Sequence, residues 1–542
     1  MHQRRLSRSG PRSLAVAAVA MAAVLVPALA ARAFEEGGKL ALRLRSRVEA
    51  DGRFRLIETP AAWSAQETAI IVCDMWDLHH CLNAVRREKE MAPVMERVLQ
   101  ASRDRGVTII HAPSSCTGAY QDHPARKHAT ATPRSQSLPR DIASWCKVIP
   151  SEEKGTYPID QADGGEDDDP VEHQKWAEEL AAKGRNPRAP WKSQIDVLTI
   201  ADKDYISDDG EEIWSILEDR KIKNVILMGV HLNMCVLGRP FGLRQLARNG
   251  KTVALMRDLT DTMYNPKRSP FVGHFAGTDL MVEHVEKYVA PTITSDQILG
   301  GKPFHFQGDT RPTVAMVIAD DEYRTEATLP KFASEHLIKD YRVSYVVAPE
   351  GARDDLPGVG ELADADLLVV SARRRVLPEG QVDALRKFVA AGKPVVGIRT
   401  ASHAFAPRAG APVPPGRGVW VGFDAEVLGG HYTNHHGPAP AVAVALAPGA
   451  AAHPALEGVE IAGLSGHGSL YKVSPLAKSA TPLLVGSIPG QAPEPVAWVN
   501  APSTGNRVFT TSLGQADDFG EAAFNRLLRN AVDWAAGRSV SN

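Results

Sequence analysis

Residues 225–237 have the sequence Val-Ile-Leu-Met-Gly-Val-His-Leu-Asn-Met-Cys-Val-Leu, in which an apolar run over 225–230 is followed five residues later by a cysteine. Such a run is typical of a strand buried on both faces, as in a parallel sheet. We therefore predict a strand over residues 224–230 and a helix from about Cys235 to Asn249, closed by Gly250. Cys235 then lies at a strand-to-helix turn, where helix amides and dipole stabilise a thiolate and an oxyanion. This position makes Cys235 a candidate nucleophile, although a buried, inert cysteine is the alternative.

The neighbouring segments alternate strand and helix patterns, as a parallel sheet requires. Residues 68–74, Thr-Ala-Ile-Ile-Val-Cys-Asp, form another apolar run, which ends in the carboxylate of Asp74. A carboxylate in this position is typical of the functional edge of a sheet. The other predicted elements of this first domain, residues 50–297, are helices at about 92–105 and 211–220 and strands at 107–111 and 252–256.

An inserted region at about 113–192 interrupts this alternation. It is rich in Pro, Gly, Asp and Lys, and a stretch of this length without regular structure indicates an inserted subdomain or an active-site cover. Its acidic run, residues 166–169, has two explanations, a solvated loop or a cation site.

A second unit follows a Pro- and Gly-containing linker at residues 298–312. From residue 313 to 540 the strand and helix patterns begin again, which predicts a second parallel sheet. The expected fold class is therefore α/β, with two three-layer α/β/α domains that each contain a mostly parallel sheet. The predicted elements are strands at 314–319, 343–347, 366–370 and 394–398 and a helix at 379–391.

Length, composition and charge fit a globular protein that acts on small molecules. The 542 residues exceed what one core usually accommodates, and a net charge of -2 gives no reason to expect nucleic acid as a partner. In residues 1–33, four arginines precede an apolar run with Ala-x-Ala ends, which predicts a signal peptide and export by the general or the twin-arginine route. We expect a periplasmic or extracellular protein without a membrane segment after cleavage; an uncleaved anchor is the alternative. The oligomeric state is left open.

The five cysteines, all in the first half of the chain, bear on the redox state of this exported protein. We expect Cys235 to stay a free thiol and Cys73 to be buried. Cys81, Cys116 and Cys146 then remain as the cysteines from which one disulfide would form.

Residues 60–292 resemble the isochorismatase-like hydrolase superfamily, which includes nicotinamidases. The resemblance rests on Ile-Val-Cys-Asp-Met around Asp74, on Lys203, and on Gly-Val-His-x-x-x-Cys-Val with His231 and Cys235. It implies an Asp-Lys-Cys triad that hydrolyses an amide or related C–N bond: Asp74 is the general base and acid, Lys203 holds positive charge near the thiolate, and Cys235 attacks the carbonyl. It also implies a cis peptide before His231 and an oxyanion hole formed by the amides of His231 and Cys235.

Each of these residues also has a structural explanation. Asp74 at a strand end is also suited to cap a turn. Lys203 lies among acidic residues and is equally compatible with a surface ion pair. His231 either contacts substrate or is a histidine at the edge of the core.

Metal ligands are less well defined. Some members of the superfamily bind a metal through an Asp-x-His pair and a further histidine. Here the candidates are His79, Asp122 and His123, and no third ligand is defined. We expect no required cofactor and leave a divalent metal open.

Residues 313–538 resemble the ThuA-like family, a branch of the class I amidotransferase-like fold associated with trehalose utilisation. The motifs are at residues 397–403, 428–436, 495–498 and 505–510. An amidotransferase would carry its nucleophilic cysteine where Arg399 stands, and no cysteine follows Cys235. Ser402 with His403 is a conceivable substitute, although side chains adjacent along a chain are seldom aimed at one another.

The loop of this second domain adds three histidines, His431, His435 and His436, which suit a metal, a sugar or simply a hydrogen-bonded loop. We expect a binding or regulatory domain. The leading hypothesis is an exported cysteine hydrolase with an accessory domain; the alternative is a carbohydrate-related protein that acts through the second domain, with an inactive triad in the first.

Overall fold

A computed structural model describes residues 38–437 and 440–540. The predicted signal peptide, residues 1–33, lies outside the described residues. Within them, no helix is both long enough and apolar enough to cross a bilayer.

The first domain is built on an eight-stranded sheet. Its strands are β1 (Lys39–Ala50), β2 (Arg53–Ser64), β3 (Thr68–Cys73), β4 (Thr108–Ala112), β5 (Tyr205–Ile206), β6 (Asn224–Val230), β7 (Thr252–Asp261) and β8 (Thr292–Ile293). They are ordered β2-β1-β8-β7-β6-β3-β4-β5, and the strands from β8 to β5 are mutually parallel. The antiparallel hairpin β1–β2 extends one edge, and the sequence pattern did not indicate it.

The helices of this domain are α1 (Leu82–Arg103), α2 (Pro124–Ala131), α3 (Pro170–Ala182), α4 (Gly210–Asp219), α5 (Leu243–Arg248), α6 (His274–Tyr288) and α7 (Asp296–Leu299). Both faces of the sheet are covered, because successive residues of β3 enter different cores. Ala69, Ile71 and Cys73 pack in one cluster, and Ile70 and Val72 in the other. This alternation produces the three layers.

Helix α1 begins ten residues before the predicted start at 92. The Asp168 carboxylate, from the inserted region, accepts hydrogen bonds from the backbone amides of Leu82 and Asn83 at 2.7 Å each. These amides lie in the first turn, where an acceptor stabilises a helix. Because Asp168 is 85 residues away from Asn83 along the chain, the local sequence does not predict this start of the helix.

The predicted helix from Cys235 to Asn249 is wrong as one continuous element. A π-helical turn, Leu232–Val236, is followed by a break, and α5 begins only at Leu243. Pro240 explains the break, because proline lacks the amide hydrogen that a helix interior needs. The break follows directly after Arg239.

The inserted region contains the helices α2 and α3 and is anchored to the rest of the domain through a buried carboxylate. Glu152 pairs with Arg244 at 2.6 Å and with His284 at 2.9 Å. Burial alone would raise the pKa of Glu152, but hydrogen bonds from His284 and Arg244 outweigh it and hold the pKa at about 2, against a usual 4.5. A carboxyl group whose pKa is lower in the folded than in the unfolded protein stabilises the folded state at pH values above its usual pKa, here 4.5. This stabilisation is lost as the pH falls towards 2.

Glu152→Gln is therefore expected to lower the free energy of unfolding at neutral pH by about 3 kcal/mol, because it leaves Arg244 buried and uncompensated. It should also flatten the dependence of stability on pH between 4.5 and 2. Urea titrations across this pH range measure both effects. Glu153→Gln, at the exposed neighbouring position, is the matched control. Equal stability of the two variants would show that the pair does not anchor the inserted region.

The second domain contains a nine-stranded sheet and smaller strand pairs. Its strands are β9 (Thr313–Ala319), β10 (Arg342–Val347), β11 (Leu367–Ala372), β12 (Leu377–Pro378), β13 (Val395–Ile398), β14 (Arg417–Gly418), β15 (Asn434–His435), β16 (Val442–Leu446), β17 (Ser465–Gly466), β18 (Tyr471–Lys472), β19 (Ala480–Ser487), β20 (Glu494–Asn500) and β21 (Val508–Thr511). The large sheet is ordered β10-β9-β11-β13-β21-β20-β19-β16-β17, parallel from β10 to β21 and antiparallel beyond.

The helices of the second domain are α8 (Thr325–Phe332), α9 (Glu379–Ala390) and α10 (Ala522–Ala535). Strand β9 also alternates between two cores, with Val314 and Met316 in one and Ala315 and Val317 in the other. The predicted fold class, two α/β domains with mostly parallel sheets, is confirmed.

The hairpin of β1 and β2 connects the two domains. On one side Leu40, Leu42 and Trp63 pack in a core of the first domain, whereas Leu56 packs in the core that contains Val314 of the second domain.

Candidate active site

Asp74 lies directly after β3, at the carboxyl edge of the first sheet. It is fully buried, and its backbone has a φ of +48°. Its Oδ1 accepts a hydrogen bond from the Ser114 amide at 2.8 Å, and its Oδ2 accepts one from Arg239 Nε at 3.1 Å. The carboxylate is therefore held between a backbone donor and a guanidinium, as expected for a buried ionised group.

Cys235 meets Asp74 because β3 and β6 approach closely at this edge. Gly229, near the end of β6, has a φ of +113°, and a Cβ there would collide with the carbonyl oxygen of Cys73. Only glycine suits both conditions. Cys235 follows in the π-helical turn, 7% exposed, and its thiol lies close enough to the Asp74 carboxylate and the Arg239 guanidinium for both to act on its pKa.

The resting site holds a protonated thiol. Burial raises the pKa of Cys235 well above its usual value, and the Asp74 carboxylate raises it further, while Arg239 opposes both. Burial also raises the pKa of Asp74, and Arg239 partly offsets this. The expected lowering of the thiol pKa by a helix N-terminus is not found, because burial and the adjacent carboxylate both raise that pKa.

Among the described residues, Arg239 is the cation that pairs with Asp74, and the motifs of the sequence did not predict it. It lies four residues after Cys235, one helical turn along, and its guanidinium pairs with Asp74 at 3.1 Å. It also lies over the ring of Trp145, from the inserted region, at 4.7 Å from the ring centre. The spacing from Cys235 is the one signal that would have identified it.

Lys203 is not brought to this cluster. It is exposed in the turn before β5, and among the described residues no ion pair joins it to Asp74. Its neighbour Asp204 is buried and pairs with Arg103 at 2.8 Å and with His111 at 3.1 Å. Asp204 thus pairs with groups other than Lys203.

His231 lies four residues before Cys235 and follows a cis peptide bond between Val230 and His231, as the resemblance implied. Its side chain is 2% exposed, and its Nε2 has no hydrogen-bond partner within the described chain. Burial lowers its pKa to about 3, so the imidazole is neutral. A buried, unpaired ring nitrogen is available to a bound molecule.

The rings of His79, Trp191 and Trp76 lie in sequence next to that of His231, and we call these three rings the aromatic wall. The ring of His79 lies 5.0 Å from that of His231, and Trp76 and Trp191 stack on each other at 4.6 Å. His79 and Trp191 are also stacked, at 5.9 Å. This wall suits a flat or apolar group of a small substrate.

The three candidate metal ligands are not brought together. His79 is buried and its Nδ1 accepts the Cys81 amide, Asp122 is fully exposed, and His123 caps α2. Among the described residues, two clusters have suitable metal ligands. The first consists of Cys81, Asp167 and Asp168, and the second of Glu166, Asp168 and His173. Their acidic residues already serve other contacts, since Asp168 caps α1 and Asp167 pairs with Arg87 at 2.8 Å. The run 166–169 is thus not a solvated loop.

All five cysteines are free thiols, so none of the cysteines proposed for a disulfide is bridged. Cys73 is fully buried, in agreement with its position on β3.

In the second domain, Arg399 follows β13 with a φ of +46° and is 2% exposed. Its guanidinium lies between the rings of Tyr323 and Tyr471, at 4.2 and 4.7 Å, and donates to the Ser512 carbonyl at 2.7 Å. The sharp turn places Arg399 where an amidotransferase nucleophile would stand, and the group present there is a cation.

Ser402 and His403 lie closer than expected for adjacent residues, with Ser402 Oγ 3.1 Å from His403 Nδ1. The tight 3-10 turn over residues 399–403 aims both side chains the same way. Of the three loop histidines, His431 and His435 are exposed and His436 is half-buried. Within the described residues they do not form a metal-type cluster.

Comparison with known proteins directly supports the predicted ThuA-like character of the second domain. The family model ThuA, described as trehalose utilisation, matches residues 320–535 and confirms the ThuA-like domain. No curated protein matches the chain.

Similar solved structures fall on both domains. A ThuA-like protein from Bacteroides uniformis is 16% identical, with a TM-score of 0.32, over 43% of this chain and 95% of its own. A cysteine hydrolase from Pseudomonas syringae is 14% identical, with a TM-score of 0.26, over 43% of this chain and 92% of its own. An isochorismatase family protein from Desulfovibrio vulgaris is 12% identical, with a TM-score of 0.22, over 40% of this chain and 89% of its own.

Proposed function

We propose that the first domain is a cysteine hydrolase that cleaves a small amide or a related C–N bond, with Cys235 as nucleophile. The observation that carries this proposal is the contact of one thiol with a buried carboxylate and a guanidinium at the edge of a parallel sheet. A nucleophile, a base and an orienting group in mutual contact are the arrangement that nucleophilic catalysis needs. The signal-like segment at residues 1–33 further supports an exported enzyme.

In the proposed reaction, Asp74 takes the proton of Cys235 as the sulfur attacks the substrate carbonyl carbon. The C–N bond then breaks as Asp74 returns this proton to the leaving nitrogen, which gives a thioester and an amine or ammonia. Water, deprotonated by Asp74, attacks the thioester, and the carboxylic acid and the thiol are released. The amides of His231 and Cys235 are proposed to stabilise the oxyanion.

Arg239 is proposed to supply the positive charge that the resemblance assigns to Lys203. It orients the Asp74 carboxylate and opposes the negative charge that passes between carboxylate and sulfur. His231 Nε2 and the aromatic wall are proposed to bind the substrate, which is therefore a small molecule with a flat or apolar portion and a hydrogen-bonding group.

Arg239→Met is expected to lower kcat/KM by about 10²-fold, the loss typical of one charged group that acts in the transition state. Lys203→Met is expected to leave kcat/KM within about threefold of wild type, because Lys203 is exposed and remote from Asp74. Arg239→Lys should recover part of the loss, because it keeps the charge but not the paired geometry. Ammonia release from a panel of small amides measures all three. A large loss in the lysine variant alone would return the role to Lys203.

A further inference from the structure

A cleft of about 240 Å³ opens at the carboxyl edge of the second sheet, away from the proposed hydrolase site. It lies beside the ends of β11 and β13, which are followed by Arg373 and Arg399. Open α/β sheets bind ligands at this edge. The volume accommodates a molecule of about the size of one monosaccharide or smaller.

The cleft is positively charged. Arg373, Arg374 and Arg408 line it, against one acidic residue, Glu322, which pairs with Arg373. Within the described chain, neither Arg374 nor Arg408 pairs with a carboxylate. After burial, Arg374 and Arg373 are the largest causes that lower the pKa of His403, to about 3. Two guanidinium groups without acidic partners favour a ligand that brings its own negative charge.

The backbone holds one of these arginines in a strained conformation. Arg374 has a φ of +53°, and its amide donates to the His403 carbonyl at 3.0 Å, which fixes it to the turn after β13. Residues other than glycine seldom adopt this conformation, and it is found most often where a side chain must be aimed at a site. Arg374 is therefore positioned by the fold.

The remaining lining groups suit hydroxyl groups. Glu322 accepts hydrogen bonds, Asn434 both donates and accepts, and Tyr432 presents a ring that stacks on His403 at 4.5 Å. A simple inorganic anion would leave these acceptors unused.

We infer that this cleft binds a small polyhydroxylated anion, a phosphate ester or a carboxylate, through Arg374 and Arg408. The site is independent of the proposed hydrolase, so Cys235→Ala should leave this binding unchanged.

Isothermal titration of the full chain with glucose 6-phosphate, gluconate and neutral glucose tests the inference. At least one anion is expected to bind about tenfold tighter than glucose, because one charge-assisted hydrogen bond contributes that much. The anion that binds tighter identifies phosphate or carboxylate as the recognised group. Arg408→Gln, at an exposed position, and Arg374→Gln should each weaken binding of that anion by about tenfold.

Arg386→Gln is the matched control, since Arg386 lies on α9 outside the cleft and should leave the affinity unchanged. Glucose that binds as tightly as both anions, an affinity insensitive to both arginine variants, or absence of binding by both anions would each overturn the inference.

Discussion

Cys235→Ala is expected to lower the rate of amide hydrolysis by about 10⁴-fold or more, to the level of the uncatalysed panel reactions. The sulfur forms the covalent intermediate in the proposed reaction, and Cys73, which precedes Asp74, is not expected to replace it, because it is fully buried on β3 whereas Cys235 is 7% exposed. Alanine removes only one atom from a site that is already packed, so the fold should persist.

The measurement is ammonia release by wild type and variant, together with mass analysis of the wild-type protein during turnover. An acyl adduct on the peptide that contains Cys235 is expected in the wild type alone. Cys146→Ala, another buried cysteine that lies outside the site, is the control and should retain wild-type turnover. Hydrolysis by Cys235→Ala at the wild-type rate would refute the nucleophile assignment.

Asp74→Asn is expected to lower turnover by about 10³-fold, because the amide cannot take the thiol proton or return it to the leaving nitrogen. The same change should also lower the pKa of Cys235. The carboxylate raises the pKa of Cys235, so its removal leaves Arg239 as the charged neighbour and should lower that pKa.

Ultraviolet titration of wild type and of Asp74→Asn, each compared with the same protein carrying Cys235→Ala, isolates the Cys235 titration in both. A thiolate that forms at lower pH in the inactive variant would distinguish a base from a merely structural carboxylate. If turnover is retained in Asp74→Asn, or the pKa of Cys235 does not fall, Asp74 is not the base.

That Asp74 and Cys235 lie close together could be predicted from the sequence. Both residues follow apolar runs that predict buried parallel strands, and the ends of such strands meet at one edge of a sheet. The strand positions in both domains are close to those predicted, for the same reason. Periodicity and composition carry this information locally.

The position of Arg239, the cation of the site, could not be predicted from the sequence in this way. Arg239 occupies its place because Pro240 ends the helical turn and because Trp145, from the inserted region, supports the guanidinium. The start of α1 likewise depends on Asp168, a residue distant along the chain. Tertiary contacts of this kind decide geometry without a local pattern, and Lys203 was the candidate because the family resemblance assigns this place to a lysine.

Because of the hairpin of β1 and β2, the two domains cannot be separated without a loss of stability. Leu56 belongs to the apolar interior of the second domain, although its strand is hydrogen-bonded into the sheet of the first. Separation of the halves at the linker would uncover an apolar surface on the second domain and leave Leu56 in water, at a cost of about 1.5–3 kcal/mol for this side chain alone. The stability of the second domain therefore depends on the first, because a side chain of the β1–β2 hairpin completes its apolar core.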